Sequence, residues 1–173
     1  MLFSGTIRSN LDPFGQLTDV QLYESLARVG LIKPTTGDDM SNSSLASSSN
    51  ANIFRDLSTP VSESGGNLSQ GQQQLLCIAR SLLANSKIVV LDEPVSALDV
   101  SVQAQIVNLF ADLQKSLGLT YVFIAHDLAV VRAMADRVMV MKVGKLVESG
   151  ATEELMRQPQ HPYTQQLIRA AML

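Results

Sequence analysis

Apolar and polar positions fall into blocks along this chain, and the spacing inside each block predicts an element. Val20, Leu22, Leu26 and Val29 recur at helical intervals after Thr18, a residue suited to capping a helix over 19–29, and Gly30 is a natural stop. Leu75, Leu76, Ile78, Ala79, Leu82 and Leu83 mark a second amphipathic helix that runs to about Ala84. Ser69 suits its N-cap, because the hydroxyl oxygen can accept a backbone N–H left free in the first turn. Residues 88–91 are an uninterrupted apolar run, which predicts a strand buried on both faces, as in a parallel sheet. Val102, Ile106, Leu109, Phe110 and Leu113 then form one stripe of a helix over 101–117. A strand over 120–125 and a short helix over 128–135 follow. Residues 138–141 and 145–148 read as a hairpin turning at Gly144, so mixed strand directions are expected. Thr152 can cap a helix over 153–157, Pro159 stops it, and 163–172 make the last helix. This succession predicts an α/β fold.

Residues 35–54 differ in kind. Six of the ten residues from Ser41 to Asn50 are Ser and two more are Asn, too little apolar area to offset the entropy of ordering. The segment reads as a disordered surface insertion between residues 1–34 and 55–173. At 173 residues with 46% hydrophobic content the chain can bury a core. Its net charge of −3, without a basic patch, gives a nucleic-acid partner no support. No apolar run approaches the roughly 18 residues of a membrane span, and no signal-peptide pattern opens the chain. Cys77, the only cysteine, falls on the apolar side of its helix and reads as a small core residue. His161 reads as a surface residue in the turn before the last helix.

Candidate chemistry concentrates at three places. Asp92 and Glu93 end the apolar run at the strand edge where open α/β sheets place ligands. Neighbouring strand residues point to opposite sides, so the two carboxylates can serve different tasks. Leu68-Ser69-Gln70-Gly71-Gln72 opens a helix, and exposed N–H groups together with the helix dipole make such an opening a ready anion site. His126 ends the next strand.

Taken together these segments resemble the nucleotide-binding domain of ABC transporters. Leu68 to Gln72 is similar to the Leu-Ser-Gly-Gly-Gln signature motif, with Gln70 in place of the first glycine. Ile88 to Glu93 resembles the Walker B strand and its catalytic glutamate, Ser96-Ala97-Leu98-Asp99 the D-loop, and Tyr121 to His126 the strand that ends in the switch histidine. The resemblance implies part of a P-loop NTPase sheet flanked by helices, with a helical signature subdomain. It implies ATP and Mg²⁺ as ligands, with Glu93 the general base and Asp92 the Mg²⁺ acid, acting through water. His126 would contact the γ-phosphate or the Glu93 side. Leu68, Ser69, Gln70, Gly71 and Gln72 would meet ATP held by another subunit. Asp99 would couple two sites across a dimer seam, a role compatible with capping the helix that follows it. The partners implied are a second nucleotide-binding domain and a transmembrane subunit, with the chain peripheral to the cytoplasmic face of a membrane.

The resemblance is uneven. No Gly-x-x-x-x-Gly-Lys-Ser/Thr phosphate cradle occurs, and Met1 to Arg8 resembles the segment just after the family's Q-loop, so the chain is expected to hold the second half of the domain. Residues 2–93 resemble eukaryotic subfamily-C exporters. Residues 94–173 resemble bacterial oligopeptide and dipeptide importer ATPases, as in Glu93-Pro94-Val95-Ser96-Ala97-Leu98-Asp99-Val100-Ser101 and His161-Pro162-Tyr163-Thr164. A join near the Walker B strand would produce this pattern. Leaving about 500 Å² of apolar surface uncovered would cost roughly 12 kcal/mol at ~25 cal/mol/Å². That matches the whole stability of an ordinary domain. An isolated chain is therefore expected to aggregate or to need a complement, and to hydrolyse ATP negligibly.

Overall fold

The computed structural model describes residues 2–33, 52–96 and 98–171, so the expected insertion lies, over 35–51, outside the described residues. The chain divides into two compact units, Met1–Ser86 and Lys87–Leu173.

In the first unit a short strand β1 (Gly5–Thr6) pairs antiparallel with β2 (Pro60–Val61). Three helices accompany them, α1 (Ile7–Leu11), α2 (Asp19–Arg28) and α3 (Gln70–Leu83). Thr18 caps α2 as expected and does so reciprocally, since Gln21 returns a side-chain bond to the Thr18 N–H. Helix α3 packs on α1 and α2. Leu22, Leu26, Leu76 and Ala79 are fully buried, each leucine worth about 1.5–3 kcal/mol against exposure. Asn10 is fully buried too, and its amide is satisfied on both sides. It accepts the Phe3 N–H at 3.1 Å and donates to the Phe3 and Thr6 carbonyls at 2.9 and 3.1 Å. A buried amide with every bond made staples the first residues to α1 instead of destabilising them.

The second unit is α/β. Strand β3 (Ile88–Asp92) pairs parallel with β4 (Thr120–Ile124), from Ile88 opposite Thr120 to Asp92 opposite Ile124. Helix α4 (Val100–Leu117) makes the crossover and ends on Gly118, whose φ of +63° is the left-handed cap that favours glycine. From α4, Phe110 meets Tyr121 and Phe123 edge-on, at ring separations of 5.5 and 6.2 Å, and the Tyr121 hydroxyl donates to the Phe110 carbonyl at 3.1 Å.

The other face of this pair corrects the expectation of a strand buried on both sides. Ile88 and Val90 are 63% and 64% exposed, and Val122 and Ile124 beside them 42% and 50%. Among the described residues the β3–β4 pair has only these two strands, and the aromatic contacts from α4 reach the Tyr121 and Phe123 side alone. An unbroken apolar run reports that both faces avoid water. It does not report whether the residues that cover them belong to the same chain.

Helix α5 (Leu128–Met134) packs against α4 and is capped by Asp127, whose carboxylate accepts the Ala129 N–H at 2.8 Å. The expected hairpin is present and longer than the pattern indicates, β5 (Arg137–Lys142) against β6 (Lys145–Ala151). Val140 on β5, Leu155 on α6 (Thr152–Arg157) and Ile168 on α7 (Pro162–Ala171) form a small core. Thr152 does not cap α6 through its side chain. It occupies the first helical position, and its hydroxyl donates to the Ala135 carbonyl instead. Cys77 is half-buried on α3.

Val143 and Gly144 form the two-residue turn of the hairpin at φ +50° and +72°. Both signs are those of a type I′ turn, and a β-branched residue is poorly suited to the first position. Val143 is 92% exposed, so no packing compensates. Val143→Asn is expected to raise unfolding stability by about 1 kcal/mol, read from urea midpoints; an unchanged or lower midpoint would show that the turn carries no strain.

Burial pushes the Tyr121 phenol up to about 12 from 10.0. The folded state thus holds its proton more tightly than the unfolded chain. The corresponding stabilisation is complete below pH 10 and is lost as pH rises toward 12. Urea midpoints of the unsubstituted chain should fall more steeply over that window than those of Tyr121→Phe.

Candidate functional site

The parallel register of β3 and β4 brings their C-terminal ends together. Beyond the last paired residues the Glu93 N–H still donates to the Ile124 carbonyl at 2.9 Å, one further rung of the ladder. There Glu93 turns out of strand geometry at φ +49°. A non-glycine residue in this region costs on the order of 1–2 kcal/mol. Local bonds hold it: the Glu93 carbonyl accepts the Ser96 N–H at 3.3 Å and the Ser96 hydroxyl at 3.0 Å. The turn directs the Glu93 carboxylate to His126, with Oε2 and Nδ1 2.6 Å apart. As a carboxylate Glu93 can only accept, so Nδ1 carries the shared proton and Nε2 faces away from the pair. Both groups reach solvent, with the His126 side chain 70% and that of Glu93 40% exposed.

Asp92 is exposed at the tip of β3, on the face that carries Ile88 and Val90. The two adjacent acids thus occupy different surroundings, as the alternation predicted, and among the described residues only Glu93 engages a side-chain partner. A shallow cleft of about 40 Å³ opens between Glu93, Val95, Gln103, His126 and Asp127. That is room for about two waters, far short of a nucleotide.

Asp99 takes the N-cap position of α4 through its backbone. Its carbonyl accepts the Gln103 N–H at 2.8 Å, while its exposed side chain makes no capping bond. His161 is half-buried, and its Nδ1 accepts the Tyr163 N–H at 3.1 Å, a structural role in the turn before α7.

The signature-like residues lie in the first unit, at the start of α3. Ser69 is the N-cap as expected: its hydroxyl oxygen accepts the Gln72 N–H at 3.2 Å. Gln72 returns the bond, its Oε1 accepting the Ser69 N–H at 2.9 Å. This leaves the Ser69 hydroxyl proton and the Gln72 amide protons as donors at a helix start, the combination an anion requires. Leu68 is buried, Ser69 and Gln70 are exposed, and Gly71 and Gln72 are half-buried. The reciprocal role of Gln72 was readable in advance, because Ser-x-x-Gln is the spacing of a capping box. Gln73 has no such sequence signal. It fixes the chain ahead of the motif by donating to the Gly65 and Leu68 carbonyls at 3.0 and 3.1 Å. Gln103 was missed as well, and its bond to the Val95 carbonyl across the loop after Glu93 is invisible to local pattern.

For Mg²⁺ the fitting donor set is modest: one or two carboxylates, with waters and substrate phosphates supplying the rest. Asp92, exposed at a strand tip, suits that arrangement. No group of three or more metal-ligating side chains occurs among the described residues. No described helix is long and apolar enough to cross a membrane.

Comparison with known proteins bears on the family of the chain. Residues 4–96 match the family model described as ABC transporter. The chain is 58% identical over 102 residues to the dipeptide transport ATP-binding protein DppF of Haemophilus influenzae, a match covering 59% of this chain and 31% of that protein. It is 53% identical over 105 residues to the oligopeptide transport ATP-binding protein OppF of Bacillus subtilis, covering 61% of this chain and 34% of that one. ABC transporter 7 of Pyricularia oryzae is 44% identical over 165 residues, covering 90% of this chain and 10% of the relative. The chain therefore spans about a tenth to a third of the length of these relatives. Since the family model accounts for more than half of its residues, this chain belongs to the ABC transporter family.

Proposed function

We propose that the chain supplies the hydrolytic side and the signature face of ATP sites shared between subunits of an ABC transporter. The observation that carries this reading is the 2.6 Å contact between Glu93 and His126 at the ends of two paired parallel strands. Glu93 is the general base. It accepts a proton from the water that attacks the γ-phosphorus, as the bond from that phosphorus to the β–γ bridging oxygen breaks and ADP leaves. The adjoining cleft has room for water beside Glu93, which supports assigning Glu93 to the attacking water. His126 holds the Glu93 carboxylate through Nδ1. For Nε2 also to donate to a γ-phosphate oxygen the ring must carry both protons, so the bridging form is the imidazolium. Asp92 would hold Mg²⁺ through water; when bound, the ion neutralises charge on the β- and γ-phosphate oxygens.

Ser69, Gly71 and Gln72, with Leu68 and Gln70 shaping the helix start, offer donors to the γ-phosphate of ATP bound by a second nucleotide-binding domain. Asp99 lies on the seam between the two. The chain joins a transmembrane partner and works peripherally at the cytoplasmic face of a membrane. The relatives named for dipeptide and oligopeptide transport, matched over 102 and 105 residues, support a peptide-type cargo, and the fungal transporter supports the transporter assignment for most of the chain. A second reading, a half-domain that presents a signature face without hydrolysing, rests on the Ser69–Gln72 helix start alone.

Turnover of ATP separates the two readings. The chain alone should hydrolyse ATP negligibly. Together with a domain that carries a Walker A loop it should gain turnover, and Glu93→Gln should reduce that turnover by about 10²–10⁴-fold while nucleotide binding persists. Equal turnover with Glu93→Gln removes Glu93 from the reaction. Stable association with no gain in turnover favours the half-domain.

A further inference from the structure

The Glu93–His126 contact depends on the direction in which the chain leaves β3, and one side chain outside the family-like motifs is bonded to the loop that follows. Gln103 lies in the first turn of α4, where its N–H donates to the Asp99 carbonyl at 2.8 Å. Its side chain turns back across the loop, and Nε2 donates to the Val95 carbonyl at 2.9 Å. The Leu98 N–H donates to the same oxygen at 3.2 Å, so this carbonyl is held from two sides. Val95 itself is 3% exposed and fixed in place. Between Val95 and Glu93 stands only Pro94, whose ring fixes φ and removes a rotation that could absorb movement. Glu93 is thus clamped at both ends, by its N–H on β4 before the turn and by the Val95 carbonyl after it. Without the Gln103 bond the Val95 carbonyl keeps only the Leu98 N–H, and the positive-φ conformation of Glu93 is left to that bond, the Ser96 bonds and the Glu93 N–H on β4. Gln103 also lines the cleft beside Glu93 and His126.

We propose that Gln103 is a positioning residue for Glu93: its amide anchors the Val95 carbonyl and so keeps the Glu93 carboxylate on His126 Nδ1. The proposal rests on the reading of Glu93 and His126 as the hydrolytic pair. It assigns Gln103 no contact with nucleotide.

The two histidines of the chain provide the readout. His126 donates through Nδ1 to Glu93, whereas His161 accepts through Nδ1 from the Tyr163 N–H, so the rings adopt opposite tautomers. Long-range ¹H–¹⁵N correlation of the histidine-labelled full chain, in complex with an unlabelled Walker A-bearing domain, distinguishes them, with His161→Gln used for assignment. Two variants are compared. Gln103→Met keeps length and volume and removes the donor, while Gln103→Lys restores a donor of different shape. The unsubstituted chain and Gln103→Lys should show His126 with the proton on Nδ1. Gln103→Met should lose that pattern while His161 keeps its own. Retention of the Nδ1–H form by Gln103→Met overturns the proposal and leaves the hydrolytic pair standing. Loss of the His161 pattern as well marks a general structural role and also overturns it, as does failure of Gln103→Lys to restore the His126 pattern. If the unsubstituted chain itself lacks Nδ1–H on His126, the pair does not form and both readings fall.

Discussion

The parallel pairing of β3 with β4 is the constraint on which the rest depends. Five residues of each strand stand opposite one another, and the ladder continues by one more rung through the Glu93 N–H. That register decides that a glutamate and a histidine 33 positions apart meet within 2.6 Å. A slip by one residue would send each side chain to the opposite face of the sheet and separate them. What fixes the register is the aromatic side of the pair. Phe110 from the crossover helix meets Tyr121 and Phe123, and the Tyr121 hydroxyl closes on the Phe110 carbonyl. Packing on one face thus positions chemistry at the end of the sheet.

The first unit solves a different problem with different means. Its signature-like helix start is shaped by polar bonds: the Ser69–Gln72 capping box, and Gln73 reaching back to two carbonyls ahead of the motif. These interactions satisfy backbone groups at the helix end while leaving donor protons outward. Helix-start donors held in this way are ordered in the absence of any ligand, and such ordering lowers the entropic cost of binding one.

Much of this was legible in the residues, for physical reasons that differ from element to element. Thr18 and Ser69 were recognisable as caps because the bond they make is local, within three residues. The hairpin was located by Gly144, although its strands extend beyond the alternating stretch. The approach of Glu93 and His126 could be expected from two strand ends in an α/β order, and the adjacent acids indeed stand in different surroundings. Covering of the strand faces was misread, since Ile88 and Val90 meet solvent. Apolarity is a property of the residue, whereas burial belongs to the whole assembly of neighbours. Thr152 does not serve as the expected cap because a nearby carbonyl, that of Ala135, competes for its hydroxyl. Gln103 escaped notice for a related reason: its bond to Val95 spans eight residues across a turn, and a glutamine in a first helical turn is otherwise unremarkable.

The most direct measurement is a crystal structure of the chain bound to a Walker A-bearing domain with ADP, Mg²⁺ and a planar metal-fluoride mimic of the transferring phosphoryl group. The account predicts a water held by the Glu93 carboxylate in line with the mimic, with His126 Nδ1 still on Glu93 and Nε2 on a fluoride. A structure in which Glu93 points away from that water, or in which His126 is parted from Glu93 with the site fully assembled, would contradict it.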